Sequence, residues 1–314
     1  MNGNGYVEIV NSTDWMNKIV WANYNSSYSG GKTTSSYNMD KDAYSKVYGR
    51  YEIVNDFNMS GTIKIETVSG STKGVKTVDG DFYPYILRAN ISGSYEKEPS
   101  TFTNDFYGIL NGNGNTIGGV KNGLFISNYG IIKDLNLNTS KGQDYVIKYE
   151  YIYNSRGKTK TFTKNISGKS PICNSNYGLI SAVETEGNWY NNGSAAGAVG
   201  YNYGKIQKTH FNGTITSNSS ISGLVEYNLG TIYGCSTDGT IKPKAASAGL
   251  VYSNQGLVEQ CNSDLAIIET RTIYYDEAIG TSGLALSNYG TMKDVAFSGY
   301  YNFSDSSSFE NTYR

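Results

Sequence analysis

The sequence is poor in the residues that build several common kinds of site. It contains 3 cysteines and 1 histidine, and charged residues make up 17% of its 314 residues, against about 25% in an average globular protein. The odd number of cysteines, without paired spacings, fits neither a disulfide framework nor a zinc-binding pattern. With a net charge of -1, the chain has no basic patch for nucleic acid or for a membrane surface. We predict no metal, no cofactor and no nucleic-acid partner.

Long apolar runs are also absent. No stretch approaches the roughly 18 apolar residues that a membrane-spanning helix needs, so we expect no membrane-spanning segment in this chain. The first residues, Met1-Asn-Gly-Asn-Gly, have neither the basic segment nor the apolar run of a signal peptide. This is compatible with a mature or trimmed chain from which targeting and anchoring segments are missing.

Glycine and tyrosine are the residues in excess. The chain has 37 Gly and 29 Tyr but only 4 Pro, and it is rich in Asn and Ser. Tyr, Val and Ile favour strands, whereas Gly and Asn accept the positive φ angles of tight turns. The composition therefore indicates short strands joined by tight turns.

A repeat of the form Gly-Leu-Val-x-x-Asn-x-Gly-x-Ile organises residues 123–299. Its six asparagines are 48, 26, 26, 26 and 34 positions apart. At about 3.3 Å per residue, 26 residues fit one coil of three short strands and their corners. The longer spacings then contain insertions, which solenoids place on their flanks. We predict an all-β fold, a right-handed parallel β-helix of about six such coils. The stacked asparagines would form a structural ladder, because a buried amide needs hydrogen-bond partners: Asn128, Asn176, Asn202, Asn228, Asn254 and Asn288.

The apolar residues of each coil stand mainly four, seven and nine positions after the asparagine. The step from four to seven is odd, which requires a bend or bulge between the two positions. Two turn pairs, Asn212-Gly213 and Asp238-Gly239, are predicted to mark the next corner.

The N-terminal region lacks the repeat. We predict a cap over residues 1–50, containing a short helix from Trp15 to Ala22, and a β-helix over residues 51–314. The segment Asp105 to Ile117 resembles the coil before the first full repeat. A cap is physically useful, since an open solenoid end exposes strand edges.

The segment Gly223 to Cys235 reads Gly-Leu-Val-x-x-Asn-x-Gly-Thr-Ile-x-x-Cys and resembles the GLUG motif of bacterial surface proteins. The resemblance covers roughly residues 6–60 and 105–299. That family includes adhesin-like proteins and N-terminal regions of immunoglobulin A1 proteases. It implies a β-helix at the cell surface or outside the cell. It does not imply protease activity, because the zinc motif His-Glu-x-x-His is missing.

One group of tyrosines follows the ladder asparagines. An exposed aromatic row there would bind sugar rings or protein partners. The alternative is that these rings only cover the corner of the coil. The row is interrupted by Leu229 and Gln255 and comprises Tyr129, Tyr177, Tyr203 and Tyr289.

A second tyrosine group lies in the first insertion, at about residues 140–170. Alternation and the turn-like Asn154-Ser-Arg-Gly157 predict a hairpin there. Tyr149, Tyr151 and Tyr153 would share one face, with Phe162 opposite. They would either form a binding surface or fold flat over the solenoid.

The residues for catalysis are sparse, so we predict no catalytic residue. His210 is interpreted as an outward-facing strand residue beside a buried Phe211. Asp276 and Glu277, near Arg271, form the best acidic cluster; a solvated loop is the alternative.

Cys235 and Cys261 occupy the same repeat position and are expected to stack as small core residues, with a disulfide as the alternative.

Three functional hypotheses follow. The first is a non-catalytic, adhesin-like bacterial surface module that binds a host glycan or a surface protein or acts as a spacer. The second is a polysaccharide lyase or glycoside hydrolase, which rests on fold analogy alone. The third is an accessory domain of a larger surface protease.

Overall fold

The computed structural model describes the greater part of the chain. The described residues are 2–15, 18–19, 46–59, 63–69, 72–78, 86–92, 95–96, 100–102, 105–120, 123–139, 144–153, 156–165, 169–269 and 280–303.

Three parallel sheets wrap around one core, which confirms the predicted all-β parallel β-helix with a small N-terminal helix. The first sheet has 16 strands: Val7–Ile9, Arg50–Ile53, Phe57–Asn58, Ile109–Asn111, Thr116–Val120, Ile131–Thr139, Leu179–Asn191, Lys205–Gln207, His210–Ser217, Thr231–Tyr233, Ser236–Lys242, Leu257–Glu259, Asn262–Glu269, Thr291–Lys293, Ala296–Phe297 and Tyr300–Phe303. The second has eight: Lys46–Val47, Asp105–Phe106, Phe125–Asn128, Cys173–Asn176, Val199–Asn202, Val225–Asn228, Val251–Asn254 and Ala285–Asn288. The third has four: Ala195–Ala196, Ile221–Ser222, Ser247–Ala248 and Thr281–Ser282.

Equivalent residues of successive coils are Cα partners in register. Val199 pairs with Val225, and Val225 pairs with Val251, so each pairing advances along the chain by one repeat. The insertions do not disturb this register, because Asn128 pairs with Asn176 across the longest spacing between ladder asparagines. Every coil therefore places the same repeat position on the same line parallel to the solenoid axis.

A left-handed residue makes the bend that the odd apolar step requires. Six residues after each ladder asparagine, φ lies between 50° and 60° in all six repeats. Glycine occupies this position once, and the other five residues adopt the strained region with a side chain. The bend residues are Asp134, Ala182, Lys208, Gly234, Gln260 and Asp294.

The predicted corner at the two turn pairs is wrong. Gly213 lies inside the strand His210–Ser217, and Gly239 lies inside Ser236–Lys242. Their φ angles are 158° and 106°. An added Cβ on Gly239 would lie 2.1 Å from the Gly213 carbonyl oxygen. The glycines thus permit close stacking of coils within a strand and do not reverse the chain.

The core is filled by aliphatic stacks together with buried aromatic residues. Ile180, Ile206 and Ile232 are fully buried and stand at the same position of successive coils. Phe106 and Phe125 stack with ring centroids 4.5 Å apart. At about 25 cal/mol per Å² of buried apolar surface, such stacks provide most of the cohesion between coils.

The N-terminal helix spans Ser12–Trp15, so it begins earlier than predicted. Asn11 caps it, since its side-chain oxygen accepts a hydrogen bond from the Asp14 amide at 3.0 Å. Trp15 is 2% exposed and packs on Phe125 with ring centroids 5.9 Å apart. The helix thus contacts the solenoid core. Of the predicted helix up to residue 22, only residues 15, 18 and 19 are described.

The strands before residue 50 already belong to the solenoid ladder. Val7–Ile9 is the edge strand of the first sheet and pairs with Arg50–Ile53. Lys46–Val47 pairs with Asp105–Phe106 in the second sheet. The boundary between cap and β-helix at residue 50 stays a prediction.

Two sheets lie outside the solenoid path. The first is a five-stranded sheet that was not expected from the sequence. Along the chain, its strands lie between those of the first and second coils. Its strands are Ile63–Ser69, Thr72–Val78, Ile86–Ser92, Tyr95–Glu96 and Ser100–Phe102. The second is the antiparallel hairpin predicted for the insertion at 140–170, formed by Asp144–Tyr153 and Arg156–Asn165.

Candidate functional site

A corner of every coil carries the residue that follows the ladder position. At this corner the Tyr129 amide donates to the Phe106 carbonyl, and the Tyr177 amide donates to the Asn128 carbonyl, both at 2.7 Å. Tyr203 repeats this bond to Asn176 at 2.7 Å. The backbone of each tyrosine is therefore held one strand spacing from the equivalent residue of the coil before it.

Five tyrosine rings stack continuously along this corner, and we call them the tyrosine ladder: Tyr48, Tyr107, Tyr129, Tyr177 and Tyr203. Consecutive ring centroids are 4.9, 4.6, 4.7 and 4.7 Å apart. The last three pairs are parallel within 8°, and the first pair is inclined by 25°. Five rings at this spacing span about 19 Å along the solenoid axis.

The ladder presents ring edges to the solvent and not ring faces. Tyr129, Tyr177 and Tyr203 are 42%, 45% and 44% exposed. Because the rings are parallel and in contact, the inner rings cover each other's faces. Burial, together with the neighbouring Tyr129, Tyr203 and Asp105, raises the pKa of Tyr177. Its phenol therefore stays protonated at neutral pH and can both donate and accept hydrogen bonds.

Two of the five rungs were missed in the sequence. Tyr48 and Tyr107 follow Val47 and Phe106, which occupy the ladder position in place of asparagine. A repeat defined by its asparagine therefore does not include the coils of Tyr48 and Tyr107. The available signal was the Tyr-Gly dipeptide, which also occurs at 48–49 and 107–108.

The other predicted row member lies apart from the ladder. Leu229 and Gln255 occupy the next two corners, and Tyr289 follows them; it is 81% exposed, and no ring among the described residues stacks on it. The assignment of these tyrosines to ligand binding stays a prediction.

Aliphatic residues flank the tyrosine ladder on the first sheet. Ile109, Ile131 and Leu179 stand two residues after Tyr107, Tyr129 and Tyr177 and are partly exposed. In the first and fifth coils this position carries the exposed cations Arg50 and Lys205. This border of the ladder is thus apolar along its middle, with a positive charge at each end.

Beneath the tyrosines, the six asparagines form a continuous hydrogen-bonded ladder. Each Nδ2 donates to the Oδ1 of the next asparagine, with the first bond, from Asn128 to Asn176, at 2.8 Å. The next four bonds are 2.8–2.9 Å long. All members except Asn288 are fully buried. The amides therefore fix the register of the corner from which the tyrosines project.

A buried ion pair forms a second polar cluster, on the second sheet. Lys169 Nζ lies 2.5 Å from Glu226 Oε2, and the two side chains are 22% and 6% exposed. The ammonium also lies 4.4 Å from the centroid of the Tyr201 ring, which stacks on Tyr227. An added Cβ on Gly200 would lie 2.6 Å from the Asn174 carbonyl oxygen and 3.1 Å from Lys169 Cδ, so glycine permits the close approach of the preceding coil and leaves room for the lysine stem. Because Lys169 follows the hairpin insertion in the chain, this ion pair holds the segment after the hairpin against the coil that contains Glu226.

Replacing Lys169 with methionine is expected to cost about 3–5 kcal/mol of unfolding free energy, because Glu226 would remain buried without its cation. Replacing Glu226 with glutamine as well should recover part of the loss. Lys293→Met is the matched control, because Lys293 pairs with Glu259 on the surface, and it should unfold like the wild type. Denaturant unfolding of the four proteins tests this. Equal losses for Lys169→Met and Lys293→Met would contradict it.

The same pair predicts a loss of stability at high pH. Burial alone lowers the pKa of Lys169, but the ion pair with Glu226 and the contact with Tyr201 raise it above its ordinary value of 10.5. A raised folded-state pKa gives stability that is fully present below this ordinary value and disappears as the pH rises through the folded-state pKa. The difference in stability between the wild type and the double variant should therefore decrease as the pH rises above 10.5.

His210 lies on the outer face of the first sheet and contacts the next coil. Its Nδ1 is 2.7 Å from Ser236 Oγ, and its Nε2 is 3.5 Å from Asp238 Oδ2. The Ser236 amide donates to the Thr209 carbonyl at 3.1 Å, so it is not free to stabilise an oxyanion. Phe211 beside it is fully buried. These contacts bring together the three residue types of a hydrolase triad, with the Ser236 amide engaged in bonding between coils.

The two stacked cysteines are buried and free. The Cys235 amide donates to Cys261 Sγ at 3.3 Å. Burial raises the pKa of Cys235 well above its ordinary value, so this thiol is neutral. Both side chains act as core residues between adjacent coils.

The tyrosines of the hairpin stand opposite basic residues in its register. Tyr149, Tyr151 and Tyr153 have Lys160, Lys158 and Arg156 as Cα partners, and Phe162 pairs with Ile147. The predicted acidic cluster of Asp276, Glu277 and Arg271 lies outside the described residues. A binding role for either segment stays a prediction.

Over the described ranges, no group of three or more His, Cys, Asp or Glu residues is placed to hold a metal ion. In the same part of the chain, no helix has the length and apolar character to cross a membrane. No protein-family model, curated protein or solved structure matches the chain. The resemblance to GLUG-motif proteins stays a prediction.

Proposed function

We propose that this chain is a non-catalytic, adhesin-like module of a bacterial surface protein that binds an extracellular glycan or protein through its tyrosine ladder. The GLUG-like repeat supports a location at the cell surface or outside the cell. The proposal rests on one observation, the continuous stack of five tyrosine rings on an exposed corner.

The coil does not require tyrosine at this corner. Leu229 and Gln255 occupy the same position, and their amides make the same 2.7 Å bond to the coil before them. Their coils keep the register of the others. Since leucine and glutamine are equally compatible with the fold at this corner, the five consecutive tyrosines indicate a role of the exposed surface and not a requirement of the coil. Exposed tyrosines are over-represented among the residues that dominate binding energy at interfaces.

The triple variant Tyr129→Leu, Tyr177→Leu and Tyr203→Leu tests the proposal. We expect at least about thirtyfold weaker binding to any ligand found in a screen of immobilised glycans and extracellular proteins, since the loss of even one interfacial tyrosine that dominates a contact costs about 2 kcal/mol or more. Leucine already stands at this corner in position 229, so the variant should keep the coil.

Tyr300→Leu is the control, because it removes an exposed tyrosine that lies outside the ladder. It should bind like the wild type. Undiminished binding by the triple variant, with its β-sheet circular dichroism intact, would remove the ladder from the proposed function.

A further inference from the structure

The exposed area of the tyrosine ladder is too small for a stable protein interface. Tyrosine side chains bury about 150–250 Å² each when fully covered, so five partly exposed rings offer on the order of 400 Å². A stable protein–protein contact buries about 800 Å² on each partner. The strip is also one ring wide and about 19 Å long. A narrow, extended ligand fits these dimensions better than a globular partner or a second copy of the chain.

The backbone along the strip is not available to an extended peptide. Peptides that add to a sheet use its free main-chain groups. At the ladder corner the Tyr129, Tyr177 and Tyr203 amides already donate to the coil before them. The Asn128 and Asn176 carbonyls accept those bonds. These amides and carbonyls are therefore not available to an added strand, and recognition along the strip depends mainly on side chains.

Those side chains present ring edges, hydroxyls and aliphatic groups. The edge of an aromatic ring carries partial positive charge and attracts oxygen atoms, and the phenol hydroxyl both donates and accepts. Ile109, Ile131 and Leu179 add an apolar border. On this border the first and fifth rungs carry the cations Arg50 and Lys205, and the three rungs between them carry aliphatic residues. An uncharged chain rich in hydroxyls and apolar C–H groups matches this pattern.

We propose that the tyrosine ladder binds a neutral linear polysaccharide lying along the solenoid axis, contacted by the ring edges and not stacked on the ring faces. This rests on the proposed function and specifies the class of ligand and its orientation. A polymer in this orientation reaches all five rungs at once, and linked contacts raise the overall affinity by increasing the effective concentration of each one.

Isothermal titration of the full chain with cello-oligosaccharides of increasing length tests the axial orientation. We expect the affinity to rise with length until the oligosaccharide spans the ladder and then to stay constant. Tyr203→Leu removes the last rung, so its plateau should begin at a shorter length. Tyr129→Leu divides the ladder, so it should reduce the affinity for the long oligosaccharides about tenfold, while Tyr300→Leu, at an exposed tyrosine outside the ladder, leaves the whole length series unchanged.

Oligogalacturonates and an extended polypeptide serve as the comparison ligands. Tighter binding of either of them, an affinity that does not depend on length, or no binding of cello-oligosaccharides would overturn the inference. The proposed function survives those results if the screened ligand still depends on the ladder tyrosines. It fails separately if that ligand binds equally well to the triple leucine variant.

Discussion

Replacing Asn228 with alanine is expected to lower the unfolding free energy by about 3 kcal/mol. Asn228 is fully buried, accepts from Asn202 Nδ2 and donates to Asn254 Oδ1, both at 2.8 Å. Its Nδ2 also reaches the Leu257 carbonyl at 3.3 Å. Alanine would leave two neighbouring amides with a missing partner, at about 1–3 kcal/mol each, and a small cavity. Because the damage lies mid-array, both halves of the solenoid lose their coupling.

Asn288→Ala is the matched control at the end of the same ladder. Asn288 is exposed and takes part in the ladder only as the acceptor of a bond from Asn254. Water can replace this acceptor, so less than half the loss of Asn228→Ala is expected. Thermal and urea unfolding followed by circular dichroism would compare the two variants. Equal losses would mean that the buried amide bonds contribute no more than an exposed one.

The fold could be predicted because one structural constraint returns in every coil. The asparagine and glycine positions of each coil contact their equivalents in the next coil, so the same residue types recur at the same spacing. The left-handed bend was detectable for the same reason, as an odd step between apolar positions. The contact of His210 with Ser236 also follows from this spacing, since the two residues stand one repeat apart.

The tyrosine ladder could be predicted only in part, because its rungs are neighbours in space and not in sequence. Tyr48 and Tyr107 stack with centroids 4.9 Å apart, although the interval between them in the sequence is longer than two regular repeats. The five-stranded sheet at 63–102 accounts for most of this interval. Its strands pair with each other and do not repeat the coil pattern. The apolar residues Ile63 and Ile65, two positions apart, were the feature of the sequence that could have predicted a strand in this sheet.

The sequence repeat also does not reveal whether the faces of the tyrosine rings are open to solvent or covered by neighbouring rings. Parallel rings require the same side-chain rotamer on every rung, and this depends on the space that each coil offers. The distinction matters for function, since open faces would stack on sugar rings whereas covered faces leave edges and hydroxyls. The structure therefore changes the expected mode of binding more than it changes the expected location of the site.

Replacing Gly230 with alanine is expected to destabilise the solenoid by about 3 kcal/mol or more. A Cβ at this position would lie 2.1 Å from the Gly204 carbonyl oxygen and 2.8 Å from the Tyr203 carbonyl carbon. These are backbone atoms, so relief requires separation of two coils that the Thr231 amide joins to Gly204 at 2.9 Å. Gly193→Ala is the control, because its nearest neighbouring atom would be 4.0 Å away. It should remain within about 0.5 kcal/mol of the wild type.

The location of Gly230 makes the shape of the unfolding curve informative as well. Gly230 follows Leu229, at the coil immediately after the last rung of the tyrosine ladder. In a linear array, each coil is stabilised mainly by its two neighbours, so a weakened contact there divides the solenoid. Gly230→Ala should then unfold in two steps, with the C-terminal coils opening before those that carry the ladder. Hydrogen exchange by mass spectrometry would assign the first step. A single transition at the wild-type temperature would show that the close approach of the coils does not limit their stability.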